Sequence, residues 1–233
     1  MGLGAVGCAI ALEKKPKRIV VTEIDEKRLN RAKQMLPEAE AAKKGVELIY
    51  VNTAAVDDPV SCLSGITGGH GYDDVFLFAP VRALAEMGDA LLAYDGCYNI
   101  FAGPTNAEFS ANINLYNCHY GSAHVMGASG GRTQDMVEAV SMIERGLVNA
   151  SVMVTHIGGL DSYADTVLNL PSIPGGKKLV YTQIDLPLTA IDDFEELGNK
   201  DDLFAKLDES CKAHGGLWNP DAEKILLSHY GVK

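Results

Sequence analysis

In the first half of the chain, short apolar runs alternate with stretches where apolar residues recur every three or four positions. The runs Arg18-Ile19-Val20-Val21-Thr22, Val46-Glu47-Leu48-Ile49-Tyr50-Val51, Asp74-Val75-Phe76-Leu77-Phe78 and Gly96-Cys97-Tyr98-Asn99-Ile100-Phe101-Ala102-Gly103 predict strands. Between them, Glu26 to Leu36 predicts a charged helix with Leu29 and Ala32 facing inward and Pro37 ending it. A short helix is expected around Pro59 to Leu63, after the strand ending at Asn52. Val81 to Leu92 predicts a helix, apolar at 81, 84, 87 and 91. Strand and helix in strict alternation predict an α/β fold built on a doubly wound parallel sheet.

From Phe109 to Ser129 the pattern loosens, with His124-Val125-Met126-Gly127 as one further strand. Thr133 to Arg145 predicts a helix, with Asp135 near its start, Arg145 near its end and Gly146 as its stop. Ser151 to His156 predicts a strand leaving the unit, and Ser162 to Leu170 a helix. A loop at Pro171, Pro174, Gly175 and Gly176 precedes the strand Lys178-Leu179-Val180-Tyr181. The tail from Asp185 is acidic, with helices expected around Leu203 to His214 and Pro220 to His229. The expected division is a dinucleotide-binding domain over 1–150 and a C-terminal α/β lobe over 151–233.

The chain opens Met1-Gly2-Leu3-Gly4-Ala5-Val6-Gly7, with glycines at G-x-G-x-x-G spacing. In a dinucleotide-binding Rossmann unit a buried strand stands just before that turn. Here nothing precedes the glycines, so the first strand is expected to be missing. If Gly7 closes the motif, only Cys8 to Lys15 remain for the helix before Pro16. If Gly2 closes it, the helix runs from Leu3 to Lys15, with Val6 and Ile10 on one face. Glu23 then lies 21 positions past Gly2, close to the spacing of a ribose-binding carboxylate. That spacing favours the second register, with Gly2 the remnant of the phosphate loop.

Parallel sheets bind ligands at the carboxyl ends of their strands. Those ends are Glu23, Asn52, Phe78-Ala79-Pro80 and Ala102-Gly103, which with Gly2 form the candidate cofactor site. A carboxylate at Glu23 accepts ribose hydroxyls and repels a 2′-phosphate, which favours NAD. Arg28, close in sequence, softens that preference toward NADP. Small residues at Ala102 and Gly103 let a flat ring approach the backbone. His156 ends a strand beside Gly158 and Gly159, as a structural or cleft-lining histidine.

Composition excludes several classes. A net charge of −11 argues against a nucleic-acid or anionic-membrane surface. No apolar run is long enough for a membrane span, and no signal peptide is evident. Five scattered cysteines form no C-x-x-C pair, so reduced thiols and a cytoplasmic setting are expected. His119 and His124 lack a third ligand at fixed spacing, so no metal ligand is assigned.

These segments together resemble the C-terminal part of a zinc-type medium-chain alcohol/polyol dehydrogenase, of the L-sorbose-1-phosphate reductase-like kind. The likeness is carried by Met1 to Ala5, Pro16 to Asp25, Asp73 to Phe76, Phe101 to Pro104, His119-Tyr120, Ser129 to Gly131, Met153 to Leu160 and Pro174 to Leu179. It implies hydride transfer between NAD (or NADP) and a polyol, ketose or sugar phosphate. It also implies a zinc-bearing catalytic domain N-terminal to this chain. The catalytic residues are expected there, so none is assigned here. The resemblance further implies a homodimer or homotetramer. On its own the chain is expected to be inactive. Competing readings are a non-catalytic nucleotide- or partner-binding module, and a methyltransferase, which shares the glycine turn and the acidic strand end.

Overall fold

The computed structural model describes residues 2–232. The chain forms two compact units. One comprises residues 14–141 with Gly2, and the other residues 142–232 with residues 3–13.

In the first unit, β1 (Arg18–Glu23) and β2 (Glu47–Asn52) pair in parallel, with Glu23 opposite Asn52. β3 (Tyr72–Leu77), β4 (Leu92–Ile100) and β5 (His124–Gly127) form a second parallel sheet in that order. β1 and β3 each pair with one neighbour only, among the described residues. The helices are α2 (Glu26–Met35), α3 (Glu38–Lys43), α4 (Pro59–Ile66), α5 (Arg82–Ala90), α6 (Leu115–Tyr120) and α7 (Thr133–Glu144). α1 (Leu3–Ala11) belongs to the other unit.

Side chains fix these elements locally. Asp25 caps α2 by accepting from the Arg28 amide at 3.0 Å. Asp58 caps α4 through the Ser61 amide, and the hydrogen bond from the Ser61 hydroxyl, with that amide second, holds its carboxyl below the usual range. Leu29 and Ala32 of α2 are buried, and the Tyr50 hydroxyl of β2 donates to the carbonyl of Leu36 at 2.9 Å. Tyr98 of β4 is fully buried and donates to the carbonyl of Ala85 in α5 at 2.9 Å. The ring lies so close to α5 that a Cβ at Gly88 would sit 2.7 Å from it. Glycine is required there.

The second unit is built on β6 (Val154–Gly159), parallel to β7 (Lys177–Tyr181) and antiparallel to the short β8 (Thr189–Ala190). α8 (Tyr163–Leu168), α9 (Phe194–Gly198), α10 (Asp202–Ala213) and α11 (Pro220–His229) complete it. Its core gathers Ile157, Tyr181, Phe194, Leu207, Trp218 and Leu226. The indole of Trp218 donates to the Tyr181 hydroxyl at 2.9 Å. The Lys178 ammonium donates to the carbonyls of Pro174 and Gly176 at 2.9 and 2.8 Å, fixing the loop before β7. Gly159 and Leu160 donate from their amides to Leu186 and Ile184, and Asp161 accepts from the Leu186 amide at 2.9 Å.

Several element boundaries differ from expectation. α1 opens at Leu3 but closes at Ala11 rather than Lys15, because the chain bends at residues 12–14 before Pro16. It carries Gly4 and Gly7 inside it, a geometry that also suits a complete glycine motif counted from Gly2. β4 begins at Leu92 and ends at Ile100, so Phe101, Ala102 and Gly103 follow the strand instead of closing it. Ala150–Met153 is a 3₁₀ turn capped by Asn149, and β6 starts only at Val154. Capping satisfies the turn locally and delays the extended backbone.

Candidate functional site

The expected residues fall in two groups at the carboxyl ends of the first unit's strands. Glu23 and Asn52 end β1 and β2 side by side. The Glu23 side chain is 8% exposed. One of its oxygens accepts from the amides of Ile24 and Asp25 at 3.0 and 3.4 Å. The other pairs with the Arg28 guanidinium at 3.2 Å. The carboxylate is thus bound to its own loop, and its other partner, Arg28, is largely exposed. Asn52 is similarly engaged. Its oxygen accepts from the Ala54 amide at 3.0 Å, and its amide donates to Glu26 at 2.6 Å.

The second group surrounds Phe78, in the loop after β3. Its ring packs between Phe76 and Phe101, with centroids 6.2 and 5.4 Å away. The same ring lies over Gly2, where a Cβ would collide with it. Ala79 and Pro80 continue the loop, and the Val81 amide donates to the Ala79 carbonyl at 2.8 Å. Ala102 is buried and donates to the Leu77 carbonyl at 2.8 Å, while Gly103 is exposed with open space beside it. Phe76 and Phe101 were not singled out from the sequence, although Phe76 and Phe78 stand two positions apart in the strand expected over 74–78. Glu26 was also missed, because its contact with Asn52 depends on the pairing of β1 with β2.

The two groups differ in chemistry. Glu23 and Asn52 present hydrogen-bond acceptors and a donor, bonded here to their own loops and to Arg28 and Glu26. The Phe78 loop and the Gly103 backbone offer an apolar, flat-walled surface.

The histidines sit elsewhere. His156 is buried, and its ring bonds the Thr155 hydroxyl at 2.9 Å. His124 bonds Asp95 at 3.0 Å on the exposed side of β5. Among the described residues no group of three His, Cys, Asp or Glu side chains is arranged to hold a metal ion. These residues therefore do not fit a zinc ion, and no chemical step of this chain is routed through one. No helix among the described residues is long and apolar enough to cross a membrane.

The chain is 50% identical over 232 residues to the mannitol-1-phosphate 5-dehydrogenase of Aliivibrio fischeri, across 100% of this chain and 55% of that protein. It is 37% identical over 229 residues to the L-sorbose 1-phosphate reductase of Klebsiella pneumoniae, across 98% of this chain and 52% of that protein. The chain thus spans about half the length of the curated relatives it matches. Its fold is similar to a solved short chain alcohol dehydrogenase (rspB) of E. coli CFT073 complexed with NADH. That likeness has a TM-score of 0.59 at 13% identity and covers 77% of this chain and 48% of the other. The family model described as zinc-binding dehydrogenase matches residues 1–145, the glycine turn, β1 to β5 and α7 included. By that match and by its identity to both relatives, the chain belongs to the zinc-binding dehydrogenase family.

Proposed function

We propose that this chain is the cofactor-binding part of an NAD(P)-linked dehydrogenase or reductase acting on a polyol, ketose or sugar phosphate. The observation that supports this best is the sheltered Glu23 carboxylate at the end of β1, beside Asn52 and paired with Arg28. A carboxylate in that position accepts the ribose hydroxyls and disfavours a 2′-phosphate. Arg28 supplies the charge that tolerates one. NAD is therefore the preferred cofactor, with NADP second.

When bound, the nicotinamide cofactor supplies the hydride or accepts it. The chain's own residues bind and orient. Glu23 and Asn52 hold the adenosine ribose. Gly2 borders the diphosphate, and Phe78, Ala79, Pro80, Ala102 and Gly103 line the path toward the nicotinamide. The sugar-phosphate class follows from the names of the two relatives. Zinc belongs to the remainder of the enzyme, in a cytoplasmic homodimer or homotetramer, and the chain alone binds cofactor without turnover.

Calorimetric titration of the 233-residue chain with NADH and NADPH tests this reading. NADH is expected to bind more tightly. Glu23→Ala should weaken NADH about tenfold, the loss of roughly 1.4 kcal/mol from charge-assisted hydrogen bonds. Arg28→Ala should weaken NADPH more than NADH. Binding of S-adenosylmethionine with no affinity for either nicotinamide nucleotide would overturn the proposal.

A further inference from the structure

β4 and β5 pair in register from Cys97 opposite His124 to Ile100 opposite Gly127. Side chains alternate between the two faces of a strand. Cys97 and Asn99 therefore share one face of β4, and His124 and Met126 one face of β5. Tyr98 takes the opposite face of β4, where it meets α5. The Cys97 thiol donates to the Met126 thioether at 3.5 Å, which puts all four residues on the same face of the sheet. A thiol, a thioether, an imidazole and a carboxamide are thus grouped across two adjacent strands.

Two sulfurs 3.5 Å apart can both bond one ion at about 2.3 Å, with an angle of about 100° at the ion, close to tetrahedral. The imidazole is already oriented. His124 Nε2 bonds the Asp95 carboxylate at 3.0 Å. A carboxylate only accepts, so the neutral ring carries its proton on Nε2 and a lone pair on Nδ1. A carboxylate on the far ring nitrogen is the usual partner of a metal-binding histidine, and it makes the ring more basic. Asn99 adds an independent sign. Its Oδ1 is buried with no hydrogen-bond partner among the described residues. Such orphaned acceptors are few in folded proteins, and an ion or a water is a common reason for one.

From this grouping we infer that Cys97 and Met126 form a binding site for one soft monovalent ion, Cu(I), with His124 Nδ1 and Asn99 Oδ1 as the further donors. Thiolate and thioether sulfur select Cu(I), whereas zinc sites are built from cysteine, histidine and carboxylate ligands. The site therefore agrees with the absence of a three-membered His, Cys, Asp or Glu group among the described residues. On binding, the Cys97 S–H bond breaks, its proton leaves to solvent and a sulfur–copper bond forms, with copper remaining Cu(I). Thiolate and ion neutralise each other, so the half-buried sulfur brings no net charge into the site. The ion has access from solvent, because Met126 is 52% exposed. The inference does not rest on the cofactor reading.

The test is titration of the 233-residue chain, isotope-labelled at its methionine methyls, with Cu(I) in the absence of oxygen. The chromogenic chelator bicinchoninate competes for the ion and reports affinity, and NMR follows the methyl signals. The expected result is one tightly held ion per chain, with the Met126 signal shifting first among the seven methionines. Met126→Leu identifies that signal and keeps all five thiols. It should weaken binding at least about tenfold, the loss that even an outer partner of a metal ligand causes. Cys97→Ser should abolish the Met126 shift. A Met126 signal unmoved at one equivalent of Cu(I) overturns the inference. So does unchanged affinity in Met126→Leu, or displacement of Cu(I) by an equal concentration of Zn(II).

Discussion

The two units spend their apolar residues differently. The second gathers Phe194, Trp218, Tyr181, Leu207 and Leu226 into one cluster with aromatic rings in mutual contact. The first divides its apolar residues between two half-sheets. Tyr98 is its largest fully buried side chain, while Phe101, Tyr116, Met126 and Val140 stay exposed. Hydrophobic stabilisation scales with area removed from water, so the second unit draws it from one cluster, although Leu160, Tyr163 and Leu168 stay exposed there, and the first from smaller, separate ones. A parallel sheet interrupted between two strands cannot form one continuous core, whatever its composition.

The sharpest way to break this comparison is Phe194→Ala. The ring is fully buried against Trp218 and Phe204, so its loss should cost about 3–5 kcal/mol. Urea unfolding followed by the fluorescence of Trp218, the chain's single tryptophan, reads the second unit alone. A drop shared equally by the circular dichroism of the whole chain would show that the units unfold together. A smaller effect is expected for Tyr181→Phe. It strands the buried indole donor of Trp218, at a cost of about 1–3 kcal/mol in the same assay.

The smallest effect falls in the first unit. Burial, with Asp89 second, pushes the Tyr98 phenol up to about 12. An unfolded tyrosine ionises near pH 10. Between those values the folded chain keeps a proton that the unfolded chain has lost, so stability declines as pH rises through that window. Tyr50 behaves alike, held up to about 12 by burial with Glu38 second. Tyr98→Phe should cost about 1 kcal/mol at neutral pH through the lost bond to Ala85. It should also flatten the alkaline decline between about pH 10 and 12. Chemical denaturation at stepped pH measures both.

Much of this contrast is legible along the chain, and the reasons differ by element. β1 and β2 are read almost to the residue, because buried parallel strands are short β-branched runs bounded by charge. Glu23 is found at a strand end by spacing alone. Its pairing with Arg28 is not, because it depends on how Asp25 caps α2 and turns that helix's first residues back toward the strand. β6 is misread at its start because a 3₁₀ turn of small and apolar residues mimics strand composition. The two-residue β8 and the five-residue α9 are too short to show a period. The wall formed by Phe76, Phe78 and Phe101 needs the register of β3 against β4, which no local pattern encodes.

The bonds tying Gly159, Leu160 and Asp161 to Ile184 and Leu186 have a topological consequence. Together with β6 against β7, they hold both ends of the excursion through α8 in place without relying on its continuity. The exposed stretch 168–172 lies on that excursion, before the carbonyls that Lys178 grips. A protease cut there leaves two pieces still fastened to one sheet. It is the point in the second unit where the chain can be opened and given new termini while the surrounding fold persists.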